Sequence, residues 1–214
     1  MNNSITEENI QGLNPRTVRV RKALMKAAYK LASEKPVTDF TLTEVAKEAD
    51  VSRPTLYKHF SDVPTLVAET AVYMISKKIE ELDEKLKDAK GANFIMQYLT
   101  LYFQGVYDDR TFYLHVLSGP SNEPFMRLAV PGIIDEMHEG ILIKQFPGAH
   151  EESKMFSEAL VAGILWNVRN WLESDFTGQN SLENFTTQLG ANLYLLSYVP
   201  DNVEEQIADF MYSM

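Results

Sequence analysis

Cysteine is absent from the 214 residues. That excludes disulfides, thiolate metal sites and cysteine nucleophiles, and it fits a reducing cytoplasm. Long apolar runs are missing as well. The longest, residues 159–166, is interrupted by Gly163, far short of the ~20 residues that cross a bilayer. The first ten residues are polar and acidic, which is not the pattern of a secretory signal. No stretch alternates with period two, so no sheet is expected. Nucleotide-binding glycine patterns, the G-x-S-x-G elbow and the H-E-x-x-H zinc pattern are all lacking. An enzyme, a cofactor and a metal are therefore not expected. Asp135 and His138 stand three residues apart among Glu136 and Glu139, a spacing that suits a cation, but a solvated acidic helix accounts for it. With 45% hydrophobic and 23% charged residues, the composition is that of an ordinary globular protein. The expectation is a cytoplasmic protein without membrane contact.

Charge is present but unevenly spread. The net formal charge is −10. Residues 14–60 nevertheless hold ten Lys/Arg against five Asp/Glu, whereas residues 61–214 hold ten against 23. A basic module thus precedes an acidic body. Screening confines each charge to roughly 10 Å in moderate salt, so the module can meet a polyanion that the body repels. A solvated helix face would produce the same count, and the motif must decide.

Nearly every segment has the 3–4 spacing of an amphipathic helix. Residues 16–34 carry Val20, Leu24, Ala27, Ala28 and Leu31 on one stripe. Lys35-Pro36 ends that helix. Thr41 and Glu44 have the spacing of a capping box, opening a short helix to about residue 49. Asp50-Val51-Ser52 makes a three-residue break, with Asp tolerant of left-handed backbone. Ser52 caps a third helix to about residue 60, with Pro54 in its first turn. Longer helices are expected over 63–89, 92–107 and 111–117. One or two more are expected over 123–144, interrupted near Pro131-Gly132, then 151–174, 181–196 and a last short one at 202–211. The segment 155–166 is apolar nearly all round from Ala159, so it is expected to lie between the core and a second subunit.

Two short helices joined by three residues form a helix-turn-helix candidate, whose second helix would enter the major groove. Thr41, Thr43 and Thr55 bring hydroxyls, Tyr57 and His59 polar aromatic tips, and Arg53 and Lys58 cations. Those groups suit phosphates and base edges.

The run Thr41-Leu42-Thr43-Glu44-Val45-Ala46, the turn ending Val51-Ser52, and Thr55-Leu56-Tyr57-Lys58-His59-Phe60 resemble the DNA-binding domain of the TetR family of transcriptional regulators over residues 16–71. The resemblance implies an all-α fold. A flexible arm (1–15) would precede a three-helix DNA-binding domain (16–62) and a helical effector-binding and dimerisation domain (63–214). It implies that Thr41, Thr43, Ser52, Arg53, Pro54, Thr55, Tyr57, Lys58 and His59 face DNA, with Ala46, Leu56 and Phe60 as the module's core. Two positions depart from the family pattern: Asp50 replaces the usual turn glycine, and Val63 the usual phosphate-touching lysine.

Further along, Phe112-Tyr113, residues 119–125 and residues 163–173 are similar to a Gram-positive subgroup of the family that includes the dihydroxyacetone-kinase-linked activator. The implied function is a repressor released from a near-palindromic double-stranded DNA operator by a small-molecule effector. The alternative is a coactivator that works through a protein partner. A homodimer through the last two long helices is implied in either case. Candidates for an effector pocket are Tyr98, Tyr102, Phe103, Tyr107, Tyr113, His115, Phe125, Met137, Trp166 and Arg169, although aromatic residues at helical spacing also build plain core. Arg169 has Glu173 one turn on as a structural partner.

Overall fold

The computed structural model describes residues 14–137 and 154–196. The arm before residue 14, His138, Glu139, the loop at 146–149 and the last short helix expected at 202–211 lie outside the described residues. Within them the chain is all helical, without strands. The order is α1 (Pro15–Glu34), α2 (Leu42–Glu48), α3 (Arg53–Tyr57), α4 (Val63–Leu86), α5 (Gly91–Asp108), α6 (Arg110–Ser118), α7 (Asn122–Asp135), α8 (Lys154–Leu172) and α9 (Leu182–Leu196). No described helix is long and apolar enough to cross a membrane.

The starts of the head helices are fixed by local side-chain chemistry. Asn14 accepts a hydrogen bond from the Arg16 amide (2.9 Å), with Pro15 in the first turn. Thr41 and Glu44 complete a reciprocal capping box on α2. Asp62 accepts the Thr65 amide (2.7 Å) at the start of α4. Burial raises the Asp62 carboxyl, but the Ser61 hydroxyl and the Thr65 amide outweigh it and hold the group below its ordinary range.

The turn between α2 and α3 is a Schellman motif. The Val51 amide donates to the Ala46 carbonyl (2.9 Å) and the Asp50 amide to that of Lys47 (3.3 Å). The residue between must take left-handed backbone, and Asp50 does so at φ 53°. A side chain in that region costs roughly 1 kcal/mol that glycine avoids, partly offset by glycine's freer unfolded chain. Asp50→Gly is therefore expected to raise stability by about 0.5–1 kcal/mol and Asp50→Val to lower it. The urea midpoints of the two variants check this, and an unchanged midpoint for Asp50→Val would contradict it.

One hydrophobic core runs through the described residues. In the head, Leu24 and Ala28 of α1, Val45 of α2 and Leu56 of α3 are fully buried. The N-terminal half of α4 closes that core with Leu66 and Val67, and Glu69 there pairs with Arg21 of α1. The rest of α4 packs on α5 and α7. On the far side α9 lies along α5. Gly190 permits that approach, because a Cβ there would stand 2.4 Å from the Met96 sulfur. Trp171 of α8 stacks on Phe185 of α9 (4.5 Å, 6°), meets Phe103 edge-on (6.1 Å) and donates its indole N–H to the Asn180 carbonyl (2.8 Å).

Two expectations need correction. The break near Pro131-Gly132 does not occur, since α7 continues through Pro131 to Asp135. Pro131 and Arg127, whose carbonyl would have accepted the missing N–H, both lie on the exposed side, where water serves the freed acceptor. The helix α3 stops at Tyr57, three residues early, and the Lys58 and His59 amides turn back to the Thr55 and Leu56 carbonyls (3.2 and 2.8 Å). The apolar stretch in α8 is not enclosed by its own chain: Val161 and Val168 face the core, whereas Ala159, Ala162 and Gly163 are exposed and Trp166 is 65% exposed.

Candidate DNA interface and ligand cavity

The helix-turn-helix presents α3 outward. Leu56 anchors it in the core, and the next residue, Tyr57, is 58% exposed. Arg53, Pro54 and Lys58 are exposed beside it. Other groups are partly engaged. Ser52 caps α3 by accepting the Thr55 amide (3.4 Å), and the Ser52 and Thr55 hydroxyls share a hydrogen bond (2.8 Å). The Thr41 hydroxyl is held by Glu44 (3.0 Å), and Thr43 is half-buried. His59 is half-buried as well. Burial first, then the nearby Arg21 and Lys58 charges, hold its imidazole below its ordinary range, so it meets neutral pH uncharged. Seven of the nine candidate residues thus lie on α3 and its two ends, and Thr41 and Thr43 lie at the start of α2. The fully presented groups are Arg53, Pro54, Tyr57 and Lys58.

Arg21 lies outside that set, next to its C-terminal end. Its guanidinium sits 4.6 Å over the Phe60 ring and pairs with Glu69. Burial lifts the Glu69 carboxyl above its ordinary range against the pull of Arg21. The motif pattern gave no signal for this pair, because its partners are 48 residues apart.

Behind the head, the six helices α4 to α9 line a cavity of about 110 Å³. Of the ten pocket candidates, Tyr98, Tyr102, Phe103, Tyr113, Phe125 and Met137 line it. Burial raises the phenols of Tyr98, Tyr102 and Tyr113 above their ordinary range, so all three remain protonated donors. The other four candidates are elsewhere. Tyr107 packs edge-on against Phe176 (5.0 Å). Trp166 stands about 150° around α8 from the inward Val161 and Val168 and so faces outward. Arg169 pairs with Glu173 (3.3 Å) in the last turn of α8. His115 donates from Nδ1 to the Ala32 carbonyl (2.6 Å), serving an end of α1 that has no intrahelical donor left. Sequence reasoning missed the aliphatic walls, Ile75 and Ile79 of α4 with Ile164, Leu165 and Val168 of α8. Their 3–4 spacing reads as ordinary core.

Two surface grooves adjoin the cavity. One of about 250 Å³ shares Tyr102, Val106 and Tyr113 with it, and one of about 230 Å³ shares Ile75, Ile79, Ile133 and Glu136. The helix α6 joins the cavity to the head. Its Tyr113 and Leu117 line the cavity, while Phe112 packs on Tyr29 of α1 (5.2 Å). The Tyr29 hydroxyl also donates to Asp109, just before α6. Among the described residues, no three His, Asp or Glu side chains are placed to hold a metal ion.

Comparison with known proteins gives a consistent result. Residues 24–70 match the family model for bacterial regulatory proteins of the tetR family. The chain is 23% identical over 101 residues to the HTH-type transcriptional regulator YobS of Bacillus subtilis, covering 47% of this chain and 53% of that one. It therefore spans about half the length of that relative. It is 26% identical over 156 residues to an HTH-type transcriptional regulator of Haemophilus influenzae, covering 69% and 73% of the two chains. The crystal structure of a TetR transcriptional regulator from Rhodococcus sp. RHA1 shares the fold, with a TM-score of 0.56 and 19% identity over 86% of this chain and 97% of that one. The outward α3, the capped turn before it and the matched residues lead to one assignment: residues 24–70 form a DNA-binding domain of the kind found in bacterial regulatory proteins of the tetR family.

Proposed function

We propose that the protein is a dimeric repressor that leaves its DNA operator when a small effector enters the cavity. The observation that carries the DNA half is the outward face of α3, where Arg53, Tyr57 and Lys58 stand exposed on a helix anchored by buried Leu56. Arg53 and Lys58 suit phosphates or guanine edges, and Tyr57 adds a rigid amphipathic contact. Two copies would place their reading helices ~34–36 Å apart, one turn of the duplex, on a near-palindromic site. For the dimer, the small exposed residues Ala159, Ala162 and Gly163 beside exposed Trp166 give a second α8 room to approach.

The effector half rests on α6. A ligand between Tyr113 and the α4 wall would displace a helix that also grips α1 through Phe112 and His115. A differential affinity of ~1–3 kcal/mol between the two arrangements would release the operator. The test is selection of bound duplexes from a random pool by the purified protein at near-physiological salt. An enriched palindrome with half-sites one helical turn apart is expected, and it supplies the probe for an effector screen. No enrichment from a folded dimer would overturn the reading in favour of a coactivator working through another protein.

A further inference from the structure

The cavity carries charge of one sign. Among the described residues that line it there is no Lys, Arg or His, and the one charged side chain is Glu136. The adjoining groove of about 250 Å³ is richer in charge, with Lys77, Lys78, Glu81 and Asp109 along it. Three of these four are matched. Lys77 pairs with Glu80 (2.7 Å) and Lys78 with Glu81 (3.9 Å). Asp109 forms no ion pair among the described residues. The adjacent Arg110 turns elsewhere, with its guanidinium over the Tyr107 and Phe176 rings (5.2 and 5.9 Å). Nor does the Asp109 side chain cap α6, although it stands at the capping position.

Asp109 is half-buried, and its carboxylate accepts a hydrogen bond from the Tyr29 hydroxyl. One donor leaves most of a carboxylate's roughly four acceptor positions open, and a charge drawn out of water without a counter-ion is costly. Tyr113 follows one turn on, with its amide bonded to the Asp109 carbonyl (3.2 Å), and it lines both the groove and the cavity. Tyr102 and Val106 also line both. An apolar volume is thus joined, past two tyrosines, to a carboxylate that lacks a cation. We propose that the cavity and this groove together take an apolar amine, with its chain in the cavity and its ammonium on Asp109. Tyrosine rings beside the path suit a cation as well. This assignment rests on the effector reading above: the ammonium and the Tyr29 hydroxyl compete for one carboxylate, so the ligand loosens a bond between α1 and the start of α6.

The experiment is calorimetry on the full chain at neutral pH with three probes that share one tail: hexylamine, hexanol and hexanoate. The amine is protonated there and the acid ionised. Hexylamine is expected to bind about tenfold to a hundredfold more tightly than hexanol, the worth of a hydrogen bond to a charged group, with hexanoate weakest. Asp109→Asn should bring hexylamine to within about threefold of hexanol. Tyr29→Phe keeps the ring and removes the competing donor, so it should tighten hexylamine by about threefold or more. Asp108→Asn removes equal charge from the exposed residue before and should keep the wild-type preference. Absent hexylamine binding, equal affinity for the three probes, or an unchanged preference in Asp109→Asn overturns the inference. Should Asp109→Asn fail to fold, Tyr29→Phe decides, and an unchanged or weaker hexylamine affinity there overturns it. Hexylamine that binds as expected yet leaves a selected duplex bound upholds the site and overturns the effector reading instead.

Discussion

Alanine at Tyr57 is expected to erase sequence-specific DNA binding while leaving the protein folded. The ring is 58% exposed, so its removal leaves no cavity and the melting curve should not move. Removing a side chain that reads a base costs ~1–3 kcal/mol. In the proposed symmetric dimer the loss counts twice, or ~2–6 kcal/mol in all, which is roughly 30-fold to 10⁴-fold in affinity. Fluorescence anisotropy with the selected and scrambled duplexes reads the effect directly. The preference should collapse towards the non-specific level set by the phosphates. A Tyr57→Ala protein that still selects one sequence would show that α3 is not the reading helix.

The second large effect belongs to Phe112. It is completely buried, lies 5.2 Å from the Tyr29 ring and 5.4 Å from that of Tyr113, and so touches both the head and the cavity wall. Phe112→Ala is expected to cost about 3–5 kcal/mol, from the burial forgone and the void left behind. Against a typical stability of ~5–15 kcal/mol, that is a large fraction of the total. The urea midpoint should fall steeply. A shift below about 1 kcal/mol would mean that α6 is not held against α1 as described.

The features legible in the sequence are those whose partners are close in the chain. The Thr41–Glu44 capping box, the left-handed Asp50, the cap at Ser52 and the Arg169–Glu173 pair are each written within four residues. The outward α3 follows from them, because a short helix with one buried leucine has little else to hide. What failed was orientation within apolar segments. Trp166 and Trp171 stand in the same helix with similar neighbours, yet one is exposed and the other stacks in the core on Phe185. When a helix is apolar all round, periodicity no longer says which side is inside. Long-range partners were equally hidden. Nothing near His115 announces the Ala32 carbonyl 83 residues away, and nothing near Arg21 announces Glu69. Pro131 misled for the opposite reason: the local rule was sound, but solvent on that side of α7 cancelled its cost.

The helix α4 belongs to both halves of the molecule. Its 24 residues make a rod of about 36 Å, with Leu66 and Val67 buried at the head end and Ile75 and Ile79 forming cavity wall further along. A rod converts angle into travel. Pivoting by roughly 5° about one end carries the other about 3 Å, close to the spacing of successive base pairs (~3.4 Å). On the proposed mechanism, an ångström-scale wedge between Ile79 and Tyr98 would be enough to put a reading helix out of step with its groove. The sensitivity would then come from the length of one helix, with no large rearrangement around it.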